Sequence, residues 1–256
     1  MRIAVLTNNG SLFGKKLINE FLANQISIAQ VIVIKQPVDY YVKLFGYVRK
    51  RVGYVDAVMF SVRRAISPKA APAMWHDRPF IQQYEAMGVP FAFADGTNSA
   101  RTIELLEECR PDLLLLGQTG IVRKRVLAIP TLGTLNAHPG ILPTYRGIDC
   151  ERWAVYQRDF DNIGCSVHWV DAGVDTGSIL TVQRYTLAAN ETLGSLETNL
   201  DNLAVRTLAQ TVLSIAAGRQ PDPQPQNRES GKQYYKMSLR DERIVKKILS
   251  ERAAAG

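Results

Sequence analysis

Leu113 to Leu116 are four consecutive leucines, and Gly117-Gln118-Thr119-Gly120 follows them directly. A run so short and so uniformly apolar suits a strand buried on both faces, as in a parallel sheet covered by helices. Ile28 to Lys35 repeats the pattern with valine and isoleucine, and Arg2 to Thr7 opens the chain in the same way. Amphipathic stretches lie between these runs. Leu12, Leu17, Phe21 and Leu22 follow the Asn8-Asn9-Gly10-Ser11 turn, and Ile103, Leu105 and Leu106 follow Asn98-Ser99. Strands alternating with helices predict βαβ units, so the expected fold is α/β: a doubly wound, mainly parallel sheet flanked by helices. Such sheets bind ligands at the loops beyond the carboxyl ends of their strands, which singles out Gly117 to Gly120. Asn8-Asn9-Gly10 is not a G-x-G-x-x-G and implies no dinucleotide site.

Further strands are expected at Pro90 to Ala94, Gly164 to Val170 and Ile179 to Tyr185, and a long helix from Thr192 to Ala217 is stopped by Gly218. Pro221-Asp222-Pro223-Gln224-Pro225 then marks a boundary. It divides a catalytic domain over 1–220 from a short C-terminal extension over 221–256. The extension holds a hairpin or extended piece at Lys232 to Lys236 and a basic helix from Leu239 to Arg252. With 256 residues, 46% of them hydrophobic, the chain can bury a full core. Cys109, Cys150 and Cys165 are odd in number and lack C-x-x-C spacing, so neither a disulfide framework nor a metal site is expected. The first residues read as a strand rather than a signal peptide, and no apolar run approaches a membrane span. The expected location is the cytoplasm.

The net charge of +7 favours anionic partners. Its placement is uneven. Between about 38 and 71, Lys43, Arg49, Lys50, Arg51, Arg63 and Arg64 are interleaved with Tyr40, Tyr41, Phe45, Tyr47, Tyr54 and Phe60. This predicts one or two basic amphipathic helices inserted after the second strand. An ordinary exposed insertion, a peripheral contact with an anionic membrane, and a nucleic-acid face are the three readings it supports.

The chemistry is concentrated in Thr134 to Gly147, T-L-N-A-H-P-G-I-L-P-T-Y-R-G, where an extended segment enters a Pro/Gly-rich turn. Asn136 and His138 stand at i and i+2, so a strand would present both on one face. A second polar segment, His168 to Gly177, reads as a strand running into an acidic loop that carries Asp175. Asn136, His138 and Asp175 together suit acyl transfer. An amide N–H can stabilise a tetrahedral oxyanion, an imidazole can relay protons near neutrality, and a carboxylate can orient the ring or pass the proton on.

The motifs N-x-H-x-x-x-L-P-x-Y-R-G at Asn136 to Gly147 and G-x-S-x-H-x-V-D-x-G-x-D-T-G-x-I at Gly164 to Ile179 resemble the 10-formyltetrahydrofolate-dependent formyltransferases. That family includes methionyl-tRNA, glycinamide ribonucleotide and sugar-nucleotide N-formyltransferases. The resemblance implies 10-formyltetrahydrofolate as formyl donor, no metal, and a primary amine as acceptor. It makes Asn136, His138 and Asp175 the catalytic residues, with protonated His138 and Asn136 steadying the oxyanion. It places folate near Gly117, Gln118, Thr119, Gly120, Ile121 and Val122, and near Val170 and Asp171. Two positions depart from the usual motif, Gly140 for a serine and Ser166 for a threonine.

The stretch after Pro225 is shorter than the β-barrel that tRNA formyltransferases append, so a small acceptor is expected, a nucleotide sugar bearing an amine, and no nucleic acid. Arg146, Asp149, Tyr234 and Tyr235 are the candidate acceptor-binding residues, the tyrosines by stacking on a base. The alternatives are another amine acceptor (glycinamide ribonucleotide or methionyl-tRNA), hydrolysis of the formyl-folate, and a folate-binding adaptor without catalysis. A homodimer and a membrane contact through 38–71 are both compatible with the sequence.

Overall fold

The computed structural model describes residues 1–35, 38–66 and 78–255. In chain order the elements are β1 (Ile3–Asn8), α1 (Leu12–Ala23), β2 (Gln30–Ile34), α2 (Val38–Val52), α3 (Tyr54–Ile66), α4 (Arg78–Ala86), β3 (Phe91–Ala94), α5 (Ala100–Cys109) and β4 (Leu113–Gly117). They continue with α6 (Lys124–Leu127), β5 (Gly133–His138), β6 (Tyr145–Gly147), α7 (Cys150–Tyr156), β7 (Gly164–Trp169), β8 (Ile179–Arg184), α8 (Leu193–Ala216), β9 (Lys232–Tyr234) and α9 (Leu239–Ala255). The main sheet has seven strands in the order β3-β2-β1-β4-β5-β7-β8. The doubly wound, mainly parallel α/β fold expected from the apolar runs is therefore present. The insertion expected at about 38–71 forms two helices, α2 and α3, and its end lies outside the described residues.

Two compact units are distinguished. The first comprises Met1–Tyr47, Ala57–Asn136 and Val170–Ala172. Its strands pair in parallel, β1 lying between β2 and β4 with Leu6 opposite both Ile32 and Leu116. Ala4, Val5 and Leu6 have no exposure, which explains why the run lacks polar alternation. Ser11 caps α1 by accepting the Gly14 N–H at 3.0 Å, and its hydroxyl donates to the Gly117 carbonyl at 3.1 Å. Thr7 donates to that carbonyl at 2.7 Å, so the end of β4 is tied to β1 and to the start of α1.

The second unit comprises Val48–Asp56, Ala137–Trp169 and Gly173–Gly256. It contains the antiparallel pair β7–β8 and a small parallel sheet, β6–β9. Its core joins Tyr145, Val155, Leu196 and Leu200 to Tyr234, Val245, Ile248 and Leu249. This division differs from the 1–220 and 221–256 boundary read from proline content, because β9 and α9 help to build the core of the second unit. Lys232 to Tyr234 adds in parallel to β6, opposite Tyr145 to Gly147, which resolves the hairpin-or-extended expectation.

Candidate active site

His138 ends β5 and is buried. Its Nε2 lies 2.8 Å from the Tyr145 carbonyl oxygen, which can only accept, so Nε2 carries the hydrogen. In the neutral ring Nδ1 then presents a lone pair, and Asp175 Oδ2 stands 3.6 Å from it. Asp175 also faces a second imidazole, with His168 Nε2 3.6 Å from Oδ1. The other nitrogen of that ring, Nδ1, lies 2.8 Å from the Trp169 carbonyl oxygen, so it too carries a hydrogen. Two imidazoles, each held at one nitrogen by a backbone carbonyl, thus turn their other nitrogens toward opposite oxygens of one carboxylate, and His168 donates a hydrogen bond to it.

The electrostatics follow from this arrangement. Burial holds His138 below its ordinary 6.5; Asp175 and the Tyr145 hydrogen bond raise it but do not compensate, and His168 adds to the depression. The neutral ring is thereby favoured, whereas the family resemblance implied protonated His138 at the oxyanion. Burial pushes Asp175 up, but His138, His168 and the Gly147 N–H outweigh this and keep it well below the usual carboxylate range. Asp175 is ionised.

The backbone holds the carboxylate in place. Asp175 adopts a left-handed φ of 51°, and its Oδ2 accepts the Gly147 N–H at 2.9 Å. From the C-terminal region, Gln226 donates to the carbonyls of Asp175, at 3.0 Å, and Gly177, at 2.6 Å. Gly147 itself has a φ of 103°, and a Cβ there would run into the Tyr234 carbonyl. Gly147→Ala is expected to cost at least ~1–3 kcal/mol of stability, read as a lowered unfolding midpoint. An unchanged midpoint would contradict the close β6–β9 approach. Gly140, where the resembling family usually has serine, leaves room for the ring: a Cβ would stand 2.6 Å from His138 Nε2. Ser166 fastens this turn, donating to the Gly140 carbonyl at 2.8 Å and accepting the Leu142 N–H at 3.0 Å.

Asn136 lies two residues before His138 on β5, so the expected shared strand face is present, and its side chain is half-buried. In the first unit, the candidate folate loop, Gly117 to Val122, leaves the carboxyl end of β4. Gln118 has a left-handed φ of 61°, and its carbonyl accepts from Asn8 at 2.6 Å. Asn98 brackets the far side, donating to the Ile121 carbonyl at 2.8 Å and accepting the Arg123 N–H at 2.6 Å. Val122 is buried, yet among the described residues neither its N–H nor its C=O has a hydrogen-bond partner. Such backbone groups fit a heterocycle that presents both donors and acceptors. Val170 N–H is used within the sheet, bonding the Thr134 carbonyl at 2.8 Å.

The four candidate acceptor residues meet different fates in the second unit. Tyr234 is buried, stacked on Tyr145 with centroids 5.1 Å apart and packed beside Trp153 at 5.6 Å. Its ring packs into the core and also borders the cavity that Tyr235 lines. Asp149 accepts from Lys236 at 2.9 Å and from the Met237 N–H at 2.9 Å, so it anchors the chain after β9. Beside it, Arg152 pairs with Glu197, with Glu242 at 3.3 Å and with Glu151 at 3.5 Å. Burial, with the Asp149 charge, lifts Glu151 to about 7. Arg146 donates to the Gly231 carbonyl at 3.3 Å. Tyr235 is half-buried, and the Arg51 guanidinium lies 3.7 Å above its ring. Arg51 and Tyr235 line a cavity of about 450 Å³ together with Trp153, Tyr156, Lys232 and Lys236.

Sequence reasoning named Asn136, His138 and Asp175 but passed over His168 as a site residue. The available signal was period-two spacing: Ser166 and His168 share one face of β7, and both support the turn or the carboxylate. The Tyr145 carbonyl and the Gly147 N–H, which orient the ring and the acid, are backbone groups without a sequence signature.

The α/β sheet carries a buried histidine–aspartate pair preceded on its strand by an asparagine, side-chain types that suit acyl transfer. The family described as Formyl transferase matches residues 1–212, and the chain belongs to that family. The methionyl-tRNA formyltransferase of Methylacidiphilum infernorum (isolate V4) is 37% identical over 128 residues, covering 50% of this chain and 40% of that one. The chain thus spans less than half the length of that curated relative. Two solved structures share the fold. The phosphoribosylglycinamide formyltransferase of Streptococcus pneumoniae TIGR4 has a TM-score of 0.56 at 20% identity, covering 84% of this chain and 98% of that one. A sugar N-formyltransferase from Shewanella sp FDAARGOS_354 has a TM-score of 0.57 at 13% identity, covering 99% and 87%.

Proposed function

We propose that the protein transfers a formyl group from 10-formyltetrahydrofolate to the primary amine of an amino-deoxysugar nucleotide. The observation that carries the choice of acceptor is the cavity of about 450 Å³ in the second unit, where aromatic rings and three cations, Arg51, Lys232 and Lys236, line one space. Rings suit a base and cations suit a diphosphate. Lys232, Tyr235 and Lys236 lie beyond residue 212, where the family match ends, so they are not part of what the family has in common. Arg51 comes from the inserted helix α2. A second reading, a methionyl-tRNA acceptor, is favoured by the names of the matched relatives.

The folate would be held by the backbone of Gly117 to Val122, with Val170 and Asp171, and when bound it supplies a formyl carbon already activated by an aryl amine nitrogen. Asn136 donates its amide N–H to the oxygen that gains negative charge. His138 Nδ1 takes the proton that the attacking amine must lose and returns it to the folate amine nitrogen as the bond from that nitrogen to the formyl carbon breaks, and Asp175 compensates the charge which the proton brings to the ring. His168 keeps Asp175 turned toward His138.

The test is turnover of 10-formyltetrahydrofolate against amino-sugar nucleotides, glycinamide ribonucleotide and methionyl-tRNA. Acceptor-dependent folate release with a nucleotide sugar is expected, and Tyr235→Ala should raise its KM about tenfold, the loss of one stacking contact. Release without acceptor would make the protein a hydrolase. Turnover with methionyl-tRNA alone would transfer the assignment to the second reading.

A further inference from the structure

Fifteen large hydrophobic side chains are exposed among the described residues, and seven of them fall between Tyr41 and Val62. On α3, Val55, Met59 and Val62 are 71%, 40% and 45% exposed. Their spacing of four and then three residues puts them on one helix face. Val42 on α2 is 68% exposed. Aliphatic groups so exposed, and repeated at helical spacing instead of scattered, mark a surface made to be covered.

The same stretch is basic. Lys43, Arg49, Lys50, Arg51, Arg63 and Arg64 stand against two acids, Asp39 and Asp56. Lys43, Arg49, Lys50 and Arg63 are exposed. Asp56 accepts the Leu239 N–H at 2.8 Å, where α9 begins, so its carboxylate is engaged there.

We propose that α2 and α3 dock the protein on an anionic lipid surface, with Val55, Met59 and Val62 entering the headgroup boundary while lysines and arginines meet lipid phosphates. Two physical arguments select this occupant. Two copies of the chain meeting through this patch about a two-fold axis would bring like charges together. A nucleic acid would neutralise the cations and leave the aliphatic face in water. No described helix is long and apolar enough to cross a membrane, so the contact is peripheral. The inference does not depend on the acceptor assigned above.

The whole chain is to be sedimented with phosphatidylglycerol-containing vesicles and with phosphatidylcholine vesicles, at low and high salt. It should pellet with the anionic vesicles only, and high salt should release it. The doubles Val55→Ser/Met59→Ser and Arg49→Gln/Lys50→Gln alter exposed positions and should keep native circular dichroism while losing about tenfold in vesicle affinity. Failure to pellet with anionic vesicles, or undiminished binding by both doubles, overturns the proposal. So does a wild-type dimer in sedimentation equilibrium that Val55→Ser/Met59→Ser converts to monomer, since the face would then belong to a second copy.

Discussion

His138→Ala is expected to lower kcat by ~10²–10⁴, the range for removing a positioned general base, while formyl-folate binding stays measurable by fluorescence or calorimetry. The size follows from the position of the ring. It is buried, its Nε2 hydrogen is committed to the Tyr145 carbonyl, and Nδ1 is the atom that remains to take a proton. The substitution also strands that carbonyl, at a cost of ~1–3 kcal/mol in stability, so the unfolding midpoint should be measured beside kcat. Near-normal turnover by a folded variant would remove His138 from the chemistry. The wild-type kcat/KM should rise as His138 loses its proton. Burial depresses the folded-state value below 6.5, so this limb lies on the acid side and is complete by about neutrality.

Asp175→Asn carries the second large effect, ~10²-fold in kcat, because the imidazolium formed at Nδ1 would lose its counter-charge. Asparagine keeps the shape and can still accept the Gly147 N–H, so the fold should survive. The pH profile separates a charge effect from a packing effect. Asp175 raises His138, so removing it lets the ring fall further and moves the acid limb of kcat/KM to lower pH. A limb displaced to higher pH, or an unchanged kcat, would contradict the assigned role. His168 stands at the other oxygen of the same carboxylate.

The strands were legible because their cause is local. Leu113 to Leu116 has to be covered on both faces wherever it lies, and all four leucines are buried in a central strand that pairs in parallel with β1 and β5. Caps such as Ser11 on α1 and Thr192 on α8 likewise act within a few residues. The Asn136 and His138 pair was legible because strand periodicity alone puts i and i+2 on one face. Tyr234 was not. Its ring packs against Tyr145 and Trp153 in the core and also borders the cavity that Tyr235 lines, because β9 pairs with β6 in a register that sets Tyr234 opposite Gly147. The partners of Asp149, Lys236 and Met237, were hidden for the same reason: they are remote in sequence.

The sequence by itself determined the fold class, the reaction family and the three side chains proposed for the chemistry, since each is encoded by short-range periodicity or a contiguous motif. Only the tertiary structure decided which tautomer His138 holds, that His168 shares its carboxylate, and that Arg51 of the insertion joins Tyr235 at the cavity. Those are consequences of backbone carbonyls, burial and long-range strand register, and the linear order of residues carries no record of them.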